Sequence, residues 1–280
     1  MISSQKVIFI TGSSSGFGRS ITEKALAEGY NVIATARNTD TLKSLAEQYT
    51  SNILVLELDV TNPEQIKHAV DTAVDHFGKI DVLINNAGIG YFASVEESIE
   101  EQTRKMFEIN FWGLMNATNA VLPFMRNQQS GHIINLSSIG GLTSFPTLGY
   151  YHATKYAVEG ISESLAQEVS PFHIHITLIE PSSFRTDWGG RSSVKTKPTI
   201  AAYQETLSPM LDHMEQASGQ EPGDPEKAAL AILKVIESDN PPLRLLLGKA
   251  AYQAATHKFT NLLQTIEDWK DTTINADFAE

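Results

Sequence analysis

The chain has 280 residues, 41% of them hydrophobic, enough for one large α/β domain or two small ones with a sizeable core. Its 33 acidic and 21 basic residues leave a formal net charge of -12, which argues against nucleic acid and anionic membrane as partners. There is no cysteine, which excludes disulfides and thiolate metal sites.

In chain order, short apolar or β-branched runs alternate with longer segments of helical period. KVIFI, NVIATA, NILVLEL, DVLI, HIINLS and HIHITLI read as strands. Helices are expected at GRSITEKALAEG, DTLKSLAEQY, NPEQIKHAVDTAVDHFG, one long helix over residues 100–128, and YYHATKYAVEGISESLAQEV. Two carry start signals, Asp40 before one run and Asn62 followed by Pro63 before another. The alternation implies a doubly wound, mostly parallel sheet covered on both faces. After Pro181 the period is lost, and SSFRTDWGGRSSVKTKPT reads as a loop. A helix near residues 199–216 follows, then a helix opened by Asp224 and Pro225, a seventh strand LRLLL and a terminal helix from Lys249. No repeat or linker divides the chain, so residues 1–280 are expected to form a single domain, with residues 184–216 as a lid over substrate. No apolar run approaches the roughly 18 residues of a membrane span, and the opening MISSQKVIFITG lacks the features of a signal peptide, so a cytoplasmic protein is expected. His173 and His175 are expected on one face of their strand, without the further ligands of a metal site, and no metal is expected elsewhere.

The first strand runs directly into TGSSSGFG, with glycines at 12, 16 and 18, and then into a helix. In that setting Gly12 allows a tight turn, Gly16 lets backbone approach a pyrophosphate, and Gly18 lets helix pack close to strand. The loop's own Ser14, Ser15 and Phe17 are expected against the same ligand, at the positive end of the helix. Three residues separate the first two glycines, where the common dinucleotide fingerprint has one.

With that spacing, TGSSSGFG, LDV at 58–60, NNAG at 85–88, NLSS at 135–138, YHATK at 151–155 and PSSFRT at 181–186 together resemble the short-chain dehydrogenase/reductase family. The resemblance runs from residue 6 to about 190 and implies a single-domain Rossmann-like oxidoreductase with a seven-stranded sheet, a nicotinamide cofactor and a small carbonyl or alcohol substrate. It implies that Asp59 and the main chain at Val60 meet adenine, and that Asn86, Ala87 and Gly88 wall the adenine-ribose side. Pro181, Ser183 and Thr186 would line the nicotinamide end, with Thr186 on the carboxamide. Taken alone, Asp59 reads as a turn cap. The family often has glycine after that proline, and this chain has Ser182. A homodimer or homotetramer built on helices around 101–126 and 150–168 is also implied.

GYYHATKY offers three tyrosines to one lysine. On a helix a side chain four positions along returns to within about 40° of the same face, so Tyr151 is the partner of Lys155, while Tyr150 and Tyr156 point elsewhere. The family's tyrosine-x-x-x-lysine pattern selects the same residue. The Lys155 ammonium is expected to lower the Tyr151 pKa toward working pH and to bind nicotinamide ribose. Ser138 would hydrogen-bond the substrate oxygen. Asn110 resembles the family residue whose main-chain carbonyl holds a water in line with the lysine. Phe92, Leu142, Phe145, Leu148, Phe184 and Trp188 flank the expected site and suggest an apolar substrate, while Trp188, Tyr203, Met210 and Met214 would line the lid or pack the loop. The second strand ends in Ala36 and Arg37, without the acid that favours NAD, so NADP is the expected cofactor, with NAD possible and Arg37 on the 2′-phosphate unless it is a solvated loop residue. Two rivals stand beside this reading. One is a non-catalytic nucleotide-binding regulatory protein on the same fold; the other is an epimerase or dehydratase of the related extended type, with different glycine spacing and a larger C-terminal domain.

Overall fold

The structure is a computed structural model that describes residues 5–190 and 192–278. The elements in order are β1 (Val7–Ile10), α1 (Gly16–Ala27), β2 (Asn31–Ala36), α2 (Lys43–Gln48), β3 (Ile53–Glu57), α3 (Pro63–Phe77), β4 (Val82–Asn85) and β5 (Gly90–Phe92). There follow α4 (Glu100–Phe107), α5 (Leu114–Gln128), β6 (Gly131–Leu136), α6 (Gly149–Val169), β7 (Ile174–Pro181) and β8 (Ser193–Lys195). The last are α7 (Ala201–Ala217), α8 (Pro225–Ile236), β9 (Arg244–Leu247), α9 (Lys249–Asp268) and α10 (Lys270–Ile274).

Seven strands form one parallel sheet in the order β3-β2-β1-β4-β6-β7-β9, as the alternation of strand and helix requires. Strand periodicity divides the core in two. Ile8 and Ile10 of β1 face α1 and α8, packing with Ile21, Leu26 and Ile232. Val7 and Phe9 face the opposite layer of α3, α5 and α6, with Ile66, Val121 and Val169. Because both faces are covered, β1 is buried throughout and reads in the sequence as an unbroken apolar run. From the edge strand β3 the chain returns to β4 on the other side of β1, and at this switch point the carboxyl ends of the strands open a crevice.

Several local expectations are corrected. Asn38, not Asp40, caps the turn before α2, accepting from the Asp40 N–H, while Asp40 pairs with Lys43 at 2.7 Å. Asn62 and Asp224 do cap α3 and α8, each accepting two backbone N–H groups ahead of proline. The loop after Pro181 contains a strand: β8 pairs in parallel with β5 in a small second sheet, a non-local partnership invisible to local pattern. His173 lies outside β7 with φ 55, in a left-handed turn, so it does not share a strand face with His175. The expected helix over residues 100–128 is interrupted by a π turn at Glu108–Gly113, which brings Gly113 so close to Val60 that an added Cβ would meet Val60 Cγ2 at 2.7 Å.

Candidate active site

A cavity of about 860 Å³ runs along the carboxyl ends of the strands from Arg37 to Trp188. Its floor is the turn after β1. Gly12 has φ +75, which side-chain-bearing residues rarely adopt, and a Cβ on Gly18 would lie 2.2 Å from the Gly12 carbonyl oxygen. Gly18 is therefore buried beneath the loop rather than in the cavity, and acts by letting α1 close on β1. Ser14, Ser15, Gly16 and Phe17 line the cavity. Ser15 occupies the N-cap of α1 without a side-chain hydrogen bond, leaving the helix's first N–H groups to a ligand. This cradle fits a dinucleotide pyrophosphate.

NNAG closes against the loop through bonds the sequence did not announce. The Asn86 amide donates to the Thr11 and Gly12 carbonyls, both at 2.9 Å, and the Thr11 hydroxyl accepts from the Asn86 and Ala87 N–H groups. Ala87 and Gly88 continue the wall. At the opposite rim stand Arg37, Asp59 and Val60. Asp59 does cap a turn: one carboxylate oxygen accepts from the Thr61 N–H and hydroxyl, at 2.9 and 2.8 Å. Burial pushes this carboxyl up, but the Thr61 hydrogen bonds, with Arg37 and Lys105, hold it below the usual range. Lys105 lines this end too, a second cation that α4 brings across the fold.

At the other end, Pro181, Ser183 and Thr186 line the cavity, with Thr186 3.5 Å from the Cβ position of Gly16. Ser182 is accommodated by Gly248, just past the adjacent strand β9: its N–H donates to the Leu247 carbonyl at 3.0 Å, and a Cβ on Gly248 would fall 2.4 Å from its hydroxyl.

Of the three tyrosines, Tyr151 is buried and lines the cavity, while Tyr150 and Tyr156 face outward. Ser138, just beyond β6, lines the cavity beside the phenol, and its hydroxyl accepts from the Gly140 N–H at 3.0 Å. Lys155 is buried one turn further along α6. Its ammonium donates to the Leu136 carbonyl at 2.6 Å and sits 5.8 Å from the Tyr151 ring centroid. The expected lowering of the phenol is not found. Burial dominates and pushes Tyr151 up to about 12, the Ser138 hydrogen bond pulling partly back. Burial also brings Lys155 down to about 8, opposed by the charge of Glu159. Asn110 lies in the π turn, beneath the cavity rather than on its wall. Its side chain grips both the N–H and the carbonyl of Ile89, at 2.9 and 3.0 Å, and donates to Thr154 at 3.2 Å, fixing α6 to the segment after β4.

Behind Lys155 lies a charge cluster that sequence reasoning missed. Glu159 accepts a short bond from the Ser137 hydroxyl and a 3.1 Å bond from Arg244 of β9, which also reaches Glu163 at 2.8 Å and Glu180 at 3.5 Å. Glu180 is fully buried, and neither carboxyl oxygen has a hydrogen-bond partner. Burial, then the Glu159 charge, raises the Glu180 carboxyl well above the usual range and favours its protonated form. The available signal was a charged residue inside each of two apolar strands, Glu180 in β7 and Arg244 in β9.

Apolar side chains wall the space beside Tyr151. Trp188 packs on Tyr151 and Phe92, with ring centroids 4.9 and 5.3 Å apart, and Phe145, Leu148, Val194 and Met214 complete the lining. Phe184 packs on Phe17 at 5.2 Å. Leu142 instead turns away to pack with Ile139, Ala251 and Ala255. Tyr203 and Met210 are absent from the lining. His152, assigned no role from sequence, clamps the 140–145 segment: Nδ1 donates to the Gly140 carbonyl and Nε2 accepts from the Phe145 N–H, both at 2.8 Å. Burial holds this imidazole's pKa below its usual value, consistent with the neutral form those bonds require.

The short chain dehydrogenase family model matches residues 6–196. A short-chain dehydrogenase from Streptomyces avermitilis superposes with a TM-score of 0.91 at 39% identity, over 99% of this chain and 100% of that one. The 3-ketodihydrosphingosine reductase of Bacteroides thetaiotaomicron is 36% identical over 87% of this chain and 88% of its own. The solved structure of ElxO with NADP bound has a TM-score of 0.73 at 27% identity, covering 89% of this chain and 99% of ElxO.

Proposed function

Since the chain belongs to the short-chain dehydrogenase family and is an oxidoreductase with a nicotinamide cofactor, we propose that it is an NADPH-preferring reductase of a ketone or aldehyde on an apolar small molecule. One observation carries the reading: of three neighbouring tyrosines, only Tyr151 stands in the cavity, with Ser138 on the same cavity wall and Lys155 directly behind. The hydride comes from the nicotinamide when it is bound. Ser138 holds the substrate oxygen against the phenol, and Tyr151 gives that oxygen its proton. Lys155 holds the ribose and returns a proton toward Tyr151, with Asn110 in its π turn carrying the water that links Lys155 to solvent. Asp59 and Val60 meet adenine, Arg37 meets the 2′-phosphate, and Thr186 the carboxamide. The apolar wall of Phe92, Leu148, Trp188 and Met214 favours a carbonyl attached to an alkyl chain, in keeping with the Bacteroides relative. Trp188 and Met214 belong to the segment 184–216, which acts as a lid.

The test is a panel of alkyl ketones, long-chain 3-keto amino alcohols, aldehydes and steroid ketones, followed by nicotinamide absorbance. Oxidation of NADPH with an alkyl ketone is expected. Tight NADPH binding without turnover on any member would favour the regulatory reading instead.

A further inference from the structure

His152 follows Tyr151 on α6 and stands outside the set of Ser138, Tyr151 and Lys155, yet it is buried, with both ring nitrogens committed. The partners fix its form. A carbonyl can only accept and a backbone N–H can only donate, so Nδ1 carries the proton toward Gly140 and Nε2 is bare toward Phe145. Each partner leads to the substrate side of the cavity. Gly140 lies between the imidazole and Ser138: its N–H donates to the Ser138 hydroxyl at 3.0 Å, and a Cβ added to it would come within 2.8 Å of His152 Nδ1 and 3.3 Å of Ser138 Oγ. With that N–H on one lone pair, the Ser138 hydroxyl keeps its own proton for a substrate oxygen. Phe145 lines the cavity, and its ring lies 5.7 Å from the imidazole. The segment between them also needs holding. Thr147 has φ 69, a left-handed conformation that a β-branched residue disfavours and that persists only where its surroundings impose it.

We propose that His152 is a positioning residue for ketone reduction with two separable duties: through Gly140 it aims the Ser138 hydroxyl at the substrate oxygen, and through Phe145 it sets the apolar wall that grips the substrate. This rests on the reductase reading, in which Ser138 meets the reacting oxygen. The two duties differ in what they stabilise. Ser138 acts on the oxygen that gains negative charge in the transition state, so disturbing it lowers kcat. Phe145 touches bound substrate and transition state alike, so releasing it raises KM. The imidazole lines the cavity too, but with neither nitrogen left to meet substrate it acts through the segment it holds.

Two substitutions divide the duties. Asparagine places its amide at the position of Nδ1 and glutamine at that of Nε2, so His152→Asn keeps a donor for Gly140 and loses the acceptor for Phe145, while His152→Gln does the reverse. Steady-state reduction of one alkyl ketone with saturating NADPH is expected to show KM raised roughly tenfold at near wild-type kcat in His152→Asn. In His152→Gln, kcat is expected to fall roughly tenfold or more at near wild-type KM. NADPH affinity by fluorescence titration and the thermal midpoint should stay close to wild type in both. Amide hydrogen exchange reads the clamp without turnover: the Phe145 amide should lose protection in His152→Asn and keep it in His152→Gln. A wild type that reduces no ketone would remove the reductase reading and the proposal with it. With wild-type turnover in hand, kcat and KM moving together in both variants, or Phe145 exchange unchanged in His152→Asn, would overturn the proposal alone.

Discussion

Replacing Glu159 by glutamine removes the charge that opposes the fall in the Lys155 pKa. Burial raises the Glu159 carboxyl too, but its bonds to Ser137 and Arg244 favour the charged form, whereas the Glu180 oxygens have no hydrogen-bond partner, so Glu180 is the better place for the proton of the pair. Lys155 and Glu159 are one helical turn apart, about 6 Å, so at an effective dielectric near 20 their attraction is about 3 kcal/mol, or about 2 pKa units. The sign is that of a base losing its anion: Lys155, at about 8 in the wild type, drops to roughly 6. If turnover needs the ammonium, the wild type is about nine-tenths competent at pH 7 and the variant about one-tenth, a tenfold fall in kcat that recovers as pH is lowered toward 5.5. The assay is kcat for ketone reduction with saturating NADPH from pH 5.5 to 9. A basic limb that stays in place in folded Glu159→Gln would refute the electrostatic argument, and a uniform loss across the range would assign Glu159 a packing role alone.

Tyr151→Phe is expected to lower kcat roughly 10²-fold or more with NADPH affinity preserved, whereas Tyr150→Phe, altering an exposed ring, should be mild; stopped-flow turnover and fluorescence titration separate the two. Arg37→Ala should remove most of the preference for NADPH, read as the ratio of kcat/KM for NADPH and NADH on one ketone, and a wild-type preference for NADH would contradict the assignment. Amide hydrogen exchange across residues 184–216 should slow when cofactor and a substrate analogue are both bound, and equal exchange rates would dismiss the lid.

Local pattern carried the sheet because its strands are apolar on both faces and its glycine turn has steric needs that no other residue meets. Gly12 requires a positive φ and Gly18 a missing Cβ, so TGSSSGFG could be interpreted without coordinates. Helical spacing likewise singled out Tyr151, which in the fold lines the cavity while Tyr150 and Tyr156 are exposed. What needed tertiary structure was everything set by non-local pairing or by burial. Strand β8 exists through its ladder with β5, about a hundred residues away, so its own residues carry no sufficient signal. The π turn at Asn110 lies where α4 and α5 pack on Val60, Ile89 and Thr154, contacts without a local period. The Tyr151 phenol rises rather than falls because the cost of burying charge outweighs the opposing pull of Ser138. Glu159, Glu180 and Arg244 are separated along the chain and meet behind Lys155 only because β7 and β9 are neighbours; burial raises both carboxyls there, and the bonds that Glu159 makes and Glu180 lacks distinguish them.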